Sequence, residues 1–126
     1  MHNDAKWVSP GLRILLAEDE PLIAIDTDDM LRAIGLDDVV CVRSVAEGMS
    51  ALDINQFHAA VLDLRLGHDL SLPLAQRLAS INIPFGFLTG FQDNAIPPNF
   101  RDRPVVAKPF TQAQLGELLS RLIVRA

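Results

Sequence analysis

Short apolar runs alternate with helix-like segments along the whole chain, and this alternation constrains the fold more than any other feature. Five runs have the length and composition of buried strands: residues 12–17, 38–42, 58–64, 83–88 and 105–107. Helical spacing or capping patterns follow four of them, at residues 21–34, 44–54, 70–80 and 111–124. Strands that alternate with helices form βαβ units with right-handed crossovers, which build a parallel sheet covered on both faces. The sequence therefore predicts a doubly wound α/β fold of (βα)5 architecture.

Capping and breaking residues support these boundaries. Ser44 with Glu47, and Thr111 with Gln114, have the spacing of capping boxes, and Gly35 is placed to end the first helix. Between residues 91 and 103 the helical pattern is weak, because prolines at 97, 98 and 104 leave room for only a short helix. This segment is the least defined part of the prediction.

The composition predicts a soluble domain and argues against some classes of binding partner. At 126 residues, with 49% hydrophobic and 21% charged residues, the chain suits one globular domain, residues 11–126, after an N-terminal tail, residues 1–10. The net charge of −5 argues against sequence-blind binding to nucleic acid or anionic membrane. No long apolar span or secretory signal is recognisable, so we expect a cytoplasmic location. Trp7 and Val8 either pack against the domain or remain mobile.

Cysteine usage excludes other classes of site. Cys41 is the one cysteine of the sequence, so a disulfide framework and a multi-cysteine zinc site are excluded. Because it lies within the apolar run VVCV, we expect it to be a buried small hydrophobic residue.

Side chains that can bind ligands or react lie at the ends of the predicted strands. Glu18 and Asp19 follow the first strand, Asp63 ends the third, Thr89 follows the fourth and Lys108 follows the fifth. In open parallel sheets, ligands bind beyond the carboxyl ends of the strands. We therefore expect these five side chains to meet at one edge of the sheet.

The chemistry of this set favours phosphoryl transfer. Three converging carboxylates repel one another unless a cation lies among them, and Mg²⁺ prefers such oxygen ligands. The ammonium of Lys108 and the hydroxyl of Thr89 are suitable donors to an oxyanion. Together these groups suit an aspartate that accepts a phosphoryl group, a reaction that depends mainly on positioning and charge neutralisation.

Four motifs in order, LLAEDE, VLDLRLG, FLTG and VVAKPF, resemble the receiver domain of two-component response regulators, and the resemblance covers about residues 11–125. It implies a flavodoxin-like, five-stranded parallel sheet with strand order 2-1-3-4-5. It also implies that Asp63 is the phosphoacceptor and that Thr89 and Lys108 contact the phosphoryl oxygens.

The same resemblance implies the ligands of a magnesium ion. Asp19 and Asp63 would bind Mg²⁺ directly, Glu18 would act mostly through water, and the backbone carbonyl of Arg65 would be a further ligand. The bond between Lys108 and the following proline is expected to be cis.

The sequence departs from the commonest receiver pattern at the switch region. Val105 stands three residues before Lys108, where receivers generally have an aromatic residue. FLTGF at residues 87–91 looks like the motif of the FATGUY receiver subclass, which commonly lacks that aromatic, although Gln92 replaces its tyrosine. The loop after Asp63 also lacks the usual Met-Pro and Asp-Gly pairs, so its backbone is expected to differ.

These features predict a single-domain response regulator rather than an enzyme. Asp63 would take a phosphoryl group from a sensor histidine kinase or a histidine phosphotransfer protein, and a downstream protein partner would receive the signal. We expect a monomer or weak dimer. One alternative is a pseudo-receiver that is not phosphorylated. Another is an aspartate-nucleophile phosphatase. Arg65 argues against this alternative, because such enzymes usually have a second acid at that position.

Overall fold

The computed structural model describes residues 7–90 and 95–124 of the chain. Within these residues the elements are β1 (Arg13–Ala17), α1 (Pro21–Ile34), β2 (Asp38–Val42), α2 (Val45–Ile54), β3 (Ala59–Asp63), β4 (Arg65–Leu66), β5 (Asp69–Leu70), α3 (Leu72–Ser80), β6 (Phe85–Thr89), β7 (Val105–Ala107) and α4 (Gln112–Val124).

The central sheet has five parallel strands in the order β2-β1-β3-β6-β7. Counted along the five main strands, this is the predicted order 2-1-3-4-5, so the flavodoxin-like α/β prediction is confirmed. The register aligns the carboxyl ends: Ala17 pairs with Leu62, Asp63 with Leu88, and Thr89 with Ala107. Residues that follow these strands therefore emerge at one edge of the sheet.

Helices cover both faces of the sheet, which explains why the strands are apolar throughout rather than alternating. On β1, Leu15 and Ala17 belong to a core cluster with residues of α2 and α3, whereas Ile14 and Leu16 belong to a second cluster with residues of α1 and α4. Trp7 and Val8 pack against the second cluster, so these two residues fold back onto the domain.

Both predicted capping boxes are present. The Ser44 hydroxyl accepts a hydrogen bond from the Glu47 amide at 3.1 Å, and the Arg43 amide donates to the Glu47 carboxylate at 2.8 Å. The second box is fully reciprocal: the Gln114 amide donates to the Thr111 hydroxyl at 3.1 Å, and the Thr111 amide donates to Gln114 Oε1 at 2.8 Å. Each box satisfies amide groups that the first turn of a helix leaves without partners.

The connection between β6 and β7 differs from a regular (βα)5 repeat. In its described part, residues 95–104, the only helical segment is a single 3-10 turn, Pro98–Phe100. Adjacent prolines explain the short turn, because proline cannot donate within a helix and restricts the residue before it. The described residues thus include four α-helices, not five.

An antiparallel hairpin follows Asp63 and was not predicted. Strands β4 and β5 pair through Arg65 with Leu70 and Leu66 with Asp69, and Gly67 in the turn has φ of 64°. The amide of Ser71 donates to the Leu64 carbonyl at 2.8 Å and closes the base of the hairpin. Helix α3 consequently begins at Leu72 rather than at residue 70.

Cys41 is exposed, so the prediction of a buried residue is wrong. The physical reason is its position near the end of β2, a strand at the edge of the sheet with a neighbour on one side only. An apolar run in an edge strand does not guarantee cover on both faces. In the part of the chain that the structure describes, no helix is long and apolar enough to cross a bilayer.

Candidate functional site

The backbone of the sheet places the site residues. Glu18 follows β1, and its amide donates to the Val42 carbonyl at 3.0 Å, which extends the pairing of β1 with β2. Lys108 follows β7, and its amide donates to the Thr89 carbonyl at 2.8 Å. Because both residues continue the ladder of the sheet, their side chains leave from fixed points at its carboxyl edge.

Lys108 connects two of the three acids, Glu18 and Asp63, which lie 90 and 45 residues from it in the sequence. Its Nζ lies 2.7 Å from Glu18 Oε1 and 2.8 Å from Asp63 Oδ2. The Glu18 side chain is 1% exposed, that of Asp63 11% and that of Lys108 20%. These short, charge-assisted contacts are shielded from bulk water, so they are stronger than surface ion pairs.

Burial and pairing affect the two titrating partners in different ways. Burial raises the pKa of Glu18 above its usual value, and the hydrogen bond from Lys108 offsets only part of that rise. Burial alone would lower the pKa of Lys108, but hydrogen bonds to Asp63 and Glu18 outweigh it, so the pKa is raised. Lys108 is therefore a permanent cation at neutral pH.

Three carboxylates form a cluster around this ammonium group. One oxygen from each of Glu18, Asp19 and Asp63 lies within 4.8 Å of the others. Lys108 offsets one of the three negative charges, so a hard divalent cation is the natural complement. Asp19 is half-buried at the open side of the cluster, and the Glu20 amide donates to Glu18 Oε2 at 3.1 Å. The donor set fits Mg²⁺, which prefers a few carboxylates and keeps several waters.

The structure places the remaining predicted residues at the same edge. Thr89 ends β6 and is 5% exposed. The amide of Arg65 donates to Asp63 Oδ1 at 3.3 Å, so Arg65 lies beside the Asp63 carboxylate at the start of the hairpin. The role of its carbonyl as a metal ligand stays a prediction. Sequence analysis missed the hairpin that orients Arg65, and the pair Gly67-His68 is the turn signal that indicates it.

The switch region lacks an aromatic ring at the usual position. Val105 is 43% exposed on edge strand β7, directly opposite Phe87 of β6. The Lys108–Pro109 bond is cis, as the resemblance implied. Gln92, the departure from the FATGUY motif, lies outside the described residues.

A groove lies next to the carboxylate cluster. Its volume is about 360 Å³, and it separates Ile23 and Met30 of α1 from the segment Lys108–Phe110. Leu22 and Ile25 on the same helix are 72% and 57% exposed. Apolar side chains thus border the ammonium group of Lys108.

Comparison with solved structures identifies the fold class. The chain is 40% identical to SdrG from Sphingomonas melonis Fr1, with 91% of this chain and 98% of SdrG covered and a TM-score of 0.80. It is 27% identical to a response regulator receiver protein from Sinorhizobium medicae WSM419, with 91% and 96% covered and a TM-score of 0.77. The receiver domain of sensor histidine kinase PA1611 from Pseudomonas aeruginosa PAO1, which has a magnesium ion coordinated in its active site cleft, is 25% identical, with 90% and 98% covered and a TM-score of 0.74.

Curated sequences agree with this class. No model of a known protein family matches the chain. The sensor protein TorS of Escherichia coli is 32% identical over 90% of this chain, and the transcriptional regulatory protein PdtaR of Mycobacterium tuberculosis is 30% identical over 82%. The chain spans only 13% of the length of TorS and 52% of that of PdtaR.

Fold and site together define a flavodoxin-like α/β protein with acidic and basic side chains at the carboxyl edge of its sheet. The chain belongs to the response regulator receiver domains, the signalling modules of two-component systems.

Proposed function

We propose that Asp63 accepts a phosphoryl group from a phosphohistidine on a sensor histidine kinase or a histidine phosphotransfer protein. The observation that supports this most directly is the contact of Lys108 with both Asp63 and Glu18 inside a cluster of three carboxylates. It supports the proposal because a carboxylate, two neighbouring acids and an ammonium group lie within reach of one another, as phosphoryl transfer to Asp63 requires.

The transfer is a displacement at phosphorus. A carboxylate oxygen of Asp63 forms the new bond to phosphorus, the bond between phosphorus and the donor imidazole nitrogen breaks, and the imidazole leaves with the electron pair. The product is an acyl phosphate on Asp63. Such reactions depend on alignment and charge neutralisation more than on covalent assistance.

The residues around Asp63 have different electrostatic roles: some bind the metal and others contact the phosphoryl group. Glu18, Asp19, Asp63 and the carbonyl of Arg65 would bind Mg²⁺, which neutralises charge on the phosphoryl oxygens when bound. Lys108 exchanges its contact with the free Asp63 carboxylate for a phosphoryl oxygen, and its buried position keeps the ammonium aimed at that oxygen. The hydroxyl of Thr89 donates to another oxygen.

The groove beside Lys108 is suited to a donor protein. Ile23 and Met30 of α1 line the groove beside Lys108, and Leu22 and Ile25 of the same helix are exposed, so α1 provides apolar surface that a partner helix can cover. Signalling would then pass to a downstream protein partner, with the chain acting in the cytoplasm as a monomer or weak dimer. Of the two alternatives, the phosphatase is disfavoured by Arg65, which begins the hairpin where such an enzyme needs an acid.

Phosphorylation of the purified chain tests the proposal. Acetyl phosphate with Mg²⁺ should add one phosphoryl group, detected as a mass increase that is stable in acid and lost in base. Asp63→Asn should abolish it, whereas Asp29→Asn, which removes the same charge from an exposed position of α1, should not. Failure of the native chain to react with acetyl phosphate and with a panel of phosphorylated kinases would favour the pseudo-receiver. Equal labelling of Asp63→Asn would contradict the assigned acceptor.

A further inference from the structure

A second cavity lies at the opposite end of the sheet from the carboxylate cluster. It has a volume of about 310 Å³ and is lined in part by Pro84, Phe85, Asp102, Arg103, Arg121 and Leu122. Phe85 begins β6 and Thr89 ends it, so the two sites are separated by about 13 Å along the strand. The cavity is thus distinct from the proposed phosphorylation site.

Arg103 forms one wall of this cavity and has an unsatisfied donor. The carbon at the centre of its guanidinium group lies 4.4 Å from the centroid of the Phe85 ring. This stacking fixes one face of the guanidinium against a fully buried residue. The Nε atom of Arg103 is buried and has no hydrogen-bond partner in the structure. Because Nε is closed to solvent, a ligand in the cavity can reach only the terminal nitrogens of the stacked guanidinium.

The surroundings of Arg103 favour an anion over a cation. Arg121 of α4 contributes a second guanidinium to the lining, and Asp102 contributes a carboxylate that offsets one of the two charges. A smaller cavity of about 220 Å³ adjoins the other side of Arg103, next to Asn82 and Ile83. Arg103 therefore lines two cavities, although its Nε itself is buried.

We propose that this cavity binds a small organic carboxylate. The two oxygens of a carboxylate match the fork formed by the two terminal nitrogens of a guanidinium, which gives paired, charge-assisted hydrogen bonds. Arg121 attracts the same group, and the apolar part of the ligand packs against Pro84 and Leu122. The volume of the cavity suits a ligand of modest size.

Sodium benzoate is the probe for this site, and benzamide is its uncharged control. In amide-correlation NMR spectra at constant ionic strength, benzoate should cause saturable shifts at Phe85, Arg103 and Leu122, whereas benzamide should cause none. Saturation by both compounds would show that the carboxylate is irrelevant, and shifts that grow linearly across the whole surface would show non-specific contact. Either result overturns the proposal.

Variants test the assigned contacts. Arg103→Gln should weaken benzoate binding by about tenfold or more, because two charge-assisted hydrogen bonds are lost. Its neighbour Arg101, which is exposed and does not line the cavity, provides the matched control Arg101→Gln, which should bind as the native chain does. Asp102→Asn should bind more tightly. Native-like binding by Arg103→Gln contradicts the proposal.

A second variant and a second probe check the interpretation of these experiments. Arg121→Gln removes the second charge from the exposed surface of α4, where unfolding is not expected, and it should also weaken binding. Native affinity in that variant counts against the site. A capped peptide of two glutamates distinguishes the source of the carboxylate: binding of the peptide without binding of benzoate would assign the cavity to a protein partner and contradict the small-ligand proposal.

Discussion

Repulsion within the carboxylate cluster predicts that removing one acid stabilises the metal-free protein. Asp19 is the suitable position, because Lys108 contacts Glu18 and Asp63 and would keep both of these contacts in Asp19→Asn. The amide side chain has nearly the same size as the carboxylate, so the change mainly removes a negative charge. We therefore expect Asp19→Asn to unfold at a higher temperature than the native chain in EDTA.

The distances within the cluster set the size of the stabilisation expected for Asp19→Asn. An oxygen of Asp19 lies within 4.8 Å of oxygens of both other acids, and Lys108 offsets about one of those two charges. One net repulsion at this distance amounts to roughly 1 kcal/mol in a water-like medium and about 3 kcal/mol at an effective dielectric of 20. Because Asp19 is half-buried, we expect about 1–2 kcal/mol, or roughly 3–12 °C in melting temperature for a domain of this size.

Thermal unfolding in EDTA and in saturating Mg²⁺ is the assay. A ligand that binds the folded state stabilises it by about 2.7 kcal/mol at a hundred times its Kd, so Mg²⁺ should raise the melting temperature of the native chain. The gain should be smaller for Asp19→Asn, which has lost a metal ligand. Asp29→Asn, an exposed change of equal charge on α1, should differ from the native chain by less than about 0.5 kcal/mol in either buffer.

Two results would refute this reasoning. If Asp19→Asn is no more stable than the native chain in EDTA, the three carboxylates do not repel one another measurably. If Mg²⁺ stabilises the variant as much as the native chain, Asp19 is not a ligand. Added salt should reduce the advantage of the variant in EDTA, because screening weakens the repulsion at this partly open site.

Three further predictions concern other parts of the molecule. Lys108→Arg should keep Mg²⁺ binding in a titration but impair phosphorylation by acetyl phosphate, because a planar guanidinium cannot replace a compact ammonium; equal rates would remove the assigned role. Cys41 is exposed as a residue, but partial desolvation of its thiol and nearby acids raise the pKa of that thiol. Less thiolate is therefore present at pH 8, and iodoacetamide should react more slowly with Cys41 than with free cysteine; a faster reaction contradicts this. Gly48→Ala should lower the unfolding free energy by about 1–2 kcal/mol in urea, because its Cβ would lie 2.7 Å from the fully buried Leu74 side chain. The matched change Gly116→Ala meets only ordinary contacts and should raise it by up to about 1 kcal/mol; the opposite order of the two variants would refute the packing argument.

Local patterns were sufficient for the framework of the fold. Apolar runs buried on both faces indicate parallel strands, and the capping boxes at Ser44 and Thr111 mark helix starts through contacts within one turn. The right-handed crossover then restricts the topology. The placement of Asp63 and Lys108 at one edge of the sheet followed from their positions at the carboxyl ends of parallel strands.

Local patterns failed where the outcome depends on neighbours in space. The apolar run around Cys41 predicted burial, but β2 is an edge strand and leaves that side chain exposed. The hairpin after Asp63 has only two residues in each strand, too few for a periodic signal. The prolines between β6 and β7 predicted that only a short helix fits there, and the described part of that segment forms a single 3-10 turn.

The sequence by itself determined which residues can do chemistry and that they follow the carboxyl ends of strands, because residue type and strand ends are read from local patterns. Only the tertiary structure decided that Lys108 contacts Glu18 and Asp63, which lie 90 and 45 residues away. Strand register and side-chain packing set such contacts, and no periodicity in the sequence specifies them. The same applies to Arg103, whose stacking on Phe85 and buried Nε arise from elements that meet only when the chain is folded.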